Sequence, residues 1–186
     1  SDMQDSYRSF YLKYNDEIEV VDSLIINDKL LTNEFEITEK YLLKKFWTKN
    51  DTASTEIRKD FIPYLLNENI QYVSDNIRRQ PLALTHPITF HQNISIKLSE
   101  GWEIEDKISE EDNKFFFYSY KNSVKDKILN LNYIYQSKVN HIDTTDYVLY
   151  KTKSDFVDQN MVMTIIVSDI NENVYRFNWL LVVICF

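Results

Sequence analysis

Few side chains in this 186-residue chain are suited to chemistry: three histidines, His86, His91 and His141, and a single cysteine, Cys185. None of the histidines forms HxH or HExxH, and no Cys/His cluster occurs, so no metal site is signalled. A Cys–His mechanism would depend on Cys185, which lies in an apolar run where burial raises a thiol pKa and leaves it inert. His141 with Asp143 and Asp146 could orient a base. A hydrolase using His141 and Asp143 is therefore one reading, but no nucleophile accompanies them. Ser95, Ser99, Ser119 and Ser123 lie in no nucleophile elbow, because one glycine cannot supply GxSxG. The same shortage excludes a P-loop and a dinucleotide fingerprint. Glu100, Glu103, Glu105 and Asp106, then Glu110, Glu111 and Asp112, lack EF-hand spacing and read as a solvated acidic loop. The candidates left for an interaction or structural role are Arg78 and Arg79 ahead of Pro81-Leu82, together with His91 and Trp102. For the arginines the structural alternative is capping carbonyls, or pairing with a glutamate of the first hairpin. No catalytic, cofactor-binding or metal-binding set is predicted.

The element that must position most of these residues spans 78–102. Pro81 and Pro87 lead into an alternation in which Ile88, Phe90, Ile94, Ile96 and Leu98 share one face. Thr89, His91, Asn93, Ser95 and Lys97 share the other, which is the period of a half-buried strand. His91 thus falls on the outer face. The chain's only glycine, Gly101, ends the strand before Trp102, where it would supply a backbone angle other residues resist. Two aromatic or alternating runs, 114–120 and 127–136, follow with 121–126 as their loop, and read as antiparallel neighbours. Upstream, residues 7–46 read as a hairpin or short meander turning at Asn27-Asp28-Lys29. Residues 48–59 read as a loop. A short helix is expected to begin near Phe61, with Pro63 in its first turn. From Asp143 to Val167 the period changes. Leu149, Thr152, Phe156, Asn160, Met163 and Val167 recur at helical steps behind a Thr144 or Thr145 cap. Met161 and Met163 read as packing residues.

Composition supports this β reading. Hydrophobic residues make up 44% of the chain, and aromatics, at 15%, favour strands. The net charge of −8, from 21 Lys+Arg against 29 Asp+Glu, leaves no electrostatic footprint for nucleic acid. One cysteine excludes an intramolecular disulfide. The start lacks a charged-then-apolar signal pattern, and Ser1-Asp2-Met3 reads as a cloning remnant, so a fragment of something longer is expected. Residues 179–186 are wholly apolar but far short of the about 20 needed to span a bilayer. They read either as a last strand or as the start of a transmembrane helix, for which Trp179 would be an interfacial anchor. The expected fold is mainly β (α+β): an antiparallel β-sandwich-like domain over residues 4–168, with one short and one longer helix. Residues 169–186 form a polar linker and the apolar C-terminal segment.

The order of segments carries a resemblance. Asn33-Glu34-Phe35-Glu36-Ile37 runs to Phe46-Trp47, then Phe61-Ile62-Pro63, Arg79-Gln80-Pro81-Leu82-Ala83-Leu84 and His86-Pro87. Leu98-Ser99-Glu100-Gly101-Trp102, residues 116–120 and 129–135, and Asp146-Tyr147-Val148-Leu149-Tyr150 complete it. Over residues 10–168 this resembles the C-terminal extracytoplasmic region of bacterial transglutaminase-like (papain-like) proteins that carry an N-terminal domain of unknown function. Ser99 stands where that family usually has proline. The resemblance implies that catalytic Cys, His and Asp residues lie upstream, in a neighbouring transglutaminase-like domain of the same polypeptide. This chain would then be a non-catalytic, cofactor-free accessory domain that packs on that neighbour or presents substrate to it. A periplasmic or extracytoplasmic location is implied, with a membrane anchor through the C-terminal segment. The alternative is a stand-alone peptide- or glycan-binding β-sandwich module, with the aromatic strands 115–120 and 129–135 as its platform.

Overall fold

A computed structural model describes residues 2–12, 18–43, 48–49, 56–74, 77–97, 104–167 and 179–185. In chain order the elements are α1 (Asp2–Leu12), β1 (Ile18–Val20), β2 (Ile25–Lys29), β3 (Glu34–Leu43), β4 (Thr48–Lys49), β5 (Ile57–Phe61), α2 (Tyr64–Asn69), β6 (Leu82–Ala83) and β7 (Thr89–Lys97). There follow β8 (Lys107–Asp112), β9 (Phe116–Lys125), β10 (Ile128–Ser137), β11 (His141–Ile142), α3 (Tyr147–Met161), β12 (Met163–Val167) and β13 (Trp179–Cys185). The main sheet runs β1-β3-β13-β7-β10-β9-β8, with β2 also paired to β3. A small sheet, β12-β5-β4, and a ribbon, β11-β6, complete the β structure, and the paired strands are antiparallel. The expected class, a mostly β, antiparallel α+β domain, is the one observed.

The central strand behaves as its alternation requires. Phe90, Ile94 and Ile96 of β7 are buried, while Thr89, His91 and Lys97 are exposed. Gln92 shares the buried face because it has work there: its Oε1 accepts a hydrogen bond from the Leu66 backbone N–H at 3.2 Å and ties α2 to the sheet. The hairpin of β9 and β10 is longer than expected. Strand continues through residues 121–125, and the turn is Asp126-Lys127, both at positive φ (51° and 62°). Two such residues match the twist of a tight hairpin. The first hairpin also turns later than expected: Asn27-Asp28-Lys29 is strand, and the turn spans residues 30–33, with Asn33 at φ 54°. Asparagine tolerates that left-handed geometry.

Four further expectations need correction. Residues 7–12 belong to α1, not a strand. Tyr7, Phe10 and Tyr11 put one helical face on the core, and aromatic anchors of this kind are equally at home in a strand. The expected loop at 48–59 contains β4 and β5, and β5 hides Ile57 and Phe61 behind a charged middle. Part of the acidic loop, residues 107–112, is edge strand β8, whose charges suit an unpaired edge. The expected helix at 143–167 ends at Met161. Val162 is extended, and residues 163–167 form β12 against β5. Its buried face is Tyr147, Tyr150, Ser154, Val157 and Met161, one step round from the predicted stripe, and Leu149 is exposed. Pro63 precedes α2 at its N-cap, as proline's fixed φ allows.

The core is aromatic. Phe115 and Phe116 meet Tyr150 of α3 edge-on, at 5.6 and 6.2 Å between ring centres, and Tyr120 lies 5.0 Å from Tyr133. Helix ends leave carbonyls without intrahelical partners. Here the sheet supplies donors: Tyr118 Oη donates to the Asn160 carbonyl at 3.3 Å, and Tyr133 Oη to the Met161 carbonyl at 3.1 Å. Residues 179–185 are strand, paired to β3 on one side and β7 on the other. Among the described residues no helix is long and apolar enough to cross a membrane.

Candidate functional site

The surface least explained by folding is the β2–β3 hairpin. Its outer strand, β2, is exposed at all five positions and pairs only with β3 among the described residues. Large aliphatic side chains stand out on it and on the turn that follows: Ile25 is 59% exposed, Ile26 46%, Leu30 83% and Leu31 103%. Scattered apolar residues are ordinary on a surface, whereas several gathered on one edge hairpin mark an interaction site or a liability. Lysine on an edge normally discourages pairing. Here Lys29 Nζ lies 3.2 Å from Glu34 Oε2 and 3.6 Å from Glu36 Oε2, so its charge is spent within the hairpin. The hydrogen bond from Lys29 holds the Glu34 carboxyl below its ordinary range, and the bond to Glu34 raises the lysine in turn.

A groove of about 640 Å3 adjoins this hairpin, lined in part by Glu34, Glu36, Ile88, Thr89 and His91. His91 lies on the outer face, as expected, at its exposed rim. The register sets Cys185 of β13 directly across from Glu36 on β3 and from His91 on β7. That row is invisible in the sequence, because it depends on a strand pairing across many residues.

The other predicted residues do not join this site. Arg78 is exposed and its Nε donates to the Gln80 carbonyl at 3.0 Å, the carbonyl-binding role offered as its structural alternative. Arg79 is exposed as well. Trp102 lies outside the described residues, as do Gly101 and Glu100. His141 and Asp143 are 3.6 Å apart at a second, open pocket of about 430 Å3, and no serine, threonine or cysteine is among its described lining residues. His86 also lines it, with Nδ1 2.9 Å from Ser137 Oγ. Ser137 is buried, and its hydroxyl accepts from the Ile88 N–H at 3.0 Å, so it fastens the end of β10 to the start of β7. Among the described residues no group of three or more His, Cys, Asp or Glu side chains is placed to hold a metal ion. Six rings of the aromatic platform are inside: Phe115, Phe116, Tyr118, Tyr120, Tyr133 and Tyr135 are buried, while Phe117 is half-buried.

One ionisable group missed in the sequence stands apart. Glu39 of β3 is 3% exposed and lies on the core face with Ile37 and Tyr41. Tyr41 Oη donates to its Oε1 at 2.9 Å, and the buried Tyr11 of α1 lies close enough to interact with it electrostatically. Burial pushes its pKa up to about 7, against the downward pull of the two tyrosine hydroxyls. A strand period that puts Glu34, Glu36, Thr38 and Lys40 on the outer face puts Glu39 on the opposite one, which is the signal the sequence offers.

No family model matches the chain, and no curated protein or solved structure matches it either.

Proposed function

We propose that the chain is a non-catalytic accessory domain that docks onto another folded domain. The transglutaminase-like neighbour suggested by segment order is the first candidate, and an extracytoplasmic setting goes with it. The observation that supports this reading is the β2–β3 hairpin, whose outer strand and turn carry four exposed aliphatic side chains beside an open groove. Hydrogen bonds account for the Ser137 hydroxyl and the end of α3, whereas the hairpin gathers four of the exposed aliphatic side chains of the described residues, Leu30 and Leu31 among the most exposed.

The test compares amide exchange in residues 25–33 of this chain alone with the same residues in the polypeptide encoded by the complete reading frame. Docking predicts slower exchange across the hairpin in the longer polypeptide, with α3 unchanged. Equal exchange in both would count against the reading.

A further inference from the structure

The hairpin also indicates how a partner would attach, and with what chemistry. An edge strand offers a row of backbone donors and acceptors that another extended segment can use. On β2 nothing described occupies that row, and all five residues are exposed, so a strand can approach without displacing a side chain from the core. The usual deterrents fail here. β2 contains no proline, and its one lysine already faces Glu34 and Glu36. Asp22, beside the strand, is likewise bound to Lys40 at 3.3 Å.

Charge selects among possible strands. Asp28 is on β2, and Glu34 and Glu36 lie across from it on β3, in a chain of net charge −8. A second copy would bring the same acidic edge against itself, which like-charge juxtaposition disfavours. Ile26 and Asp28 lie on one face of β2, and Ile25 lies on the other, where Glu36 and Glu34 of β3 are the cross-strand neighbours of Asn27 and Lys29; a strand bearing both aliphatic and basic residues finds an apolar and an acidic partner on either face.

We propose that β2 is an acceptor edge for an extended, lysine- or arginine-bearing aliphatic segment of a partner polypeptide, added to the main sheet as a further strand. This rests on the docking reading above and specifies its mode. The probes are short synthetic peptides alternating lysine with valine, the same peptides with glutamate for lysine, and the lysine peptide N-methylated at alternate residues. Exchange of the β2 amides is read during titration of the intact chain. The lysine peptide should slow exchange at 25–29, and should bind about tenfold or more tightly than the glutamate peptide at low salt. N-methylation, which removes backbone donors and keeps the side chains, should abolish the effect. Ile26→Lys, an exposed change that leaves the fold intact, should weaken binding. Equal binding by the glutamate peptide, or indifference to N-methylation, overturns the proposal. Protection of 25–29 that grows with protein concentration alone overturns it in favour of a second copy. Protection in the longer polypeptide without peptide binding rejects strand addition and leaves docking standing; protection in neither rejects both.

Discussion

The fold holds a proton on Glu39 more tightly than the unfolded chain does, because burial disfavours the carboxylate. Its carboxyl sits under α1 with tyrosine for company: Tyr41 on its own strand, Tyr11 and Tyr7 from the helix, and Val182 of β13 opposite in register. Asp5 and Arg8 of α1 and Glu19 of β1 are exposed. A folded pKa of about 7 against an ordinary 4.5 means that the proton-linked stability is full below 4.5 and is lost as pH rises through 7. The difference amounts to about 3 kcal/mol. Urea denaturation between pH 5 and pH 9 should therefore show stability falling with pH. Glu39→Gln should remove most of that slope and should be the more stable protein at pH 9. An unchanged slope in the variant would place the titration elsewhere. At this scale the sequence was legible for His91, whose outer face follows from strand period alone. It was mute on Ser137 and on the row through Cys185, because those partners meet only after strands far apart in the chain have paired.

Elements were readable where one period governed them without interruption. β7, β9 and β10 alternate cleanly because one face of each is packed on the core. β8 and β5 were hidden by charge: an edge strand can carry Glu110, Glu111 and Asp112 because one flank is in water, and that composition reads as loop. α3 was found and its face mistaken. The expected stripe runs through Leu149 and Phe156, whereas the helix buries Tyr147, Tyr150, Val157 and Met161, tyrosines counting as core once their hydroxyls find carbonyls such as that of Gln71. Two substitutions separate the alternatives. Val157→Ala removes fully buried methyl groups and should cost about 2 kcal/mol. Leu149→Ala should cost less than about 0.5 kcal/mol, since Leu149 is largely exposed. Denaturant midpoints of the two variants decide between them, and reversed costs would restore the predicted face.

For the whole molecule, order along the chain and order in space disagree. β13 is the last described strand, yet it joins β3 to β7 in the middle of the main sheet, and no other described strand links those two. Deleting residues 179–186 should split the sheet into two parts with open flanks along β3 and β7. Loss of a single cooperative melting transition and increased aggregation are expected, measured by calorimetry and light scattering. A deletion variant that melts as sharply as the intact chain would show that the two parts hold together through their helices. The same arrangement has a temporal side. Both sheet parts leave the ribosome well before the segment that unites them, so a growing chain spends that interval with two strand flanks facing water. Whatever shields nascent polypeptides in the cell has its critical task here at the seam, and slowing translation after residue 167 should lengthen the exposure without altering a single residue.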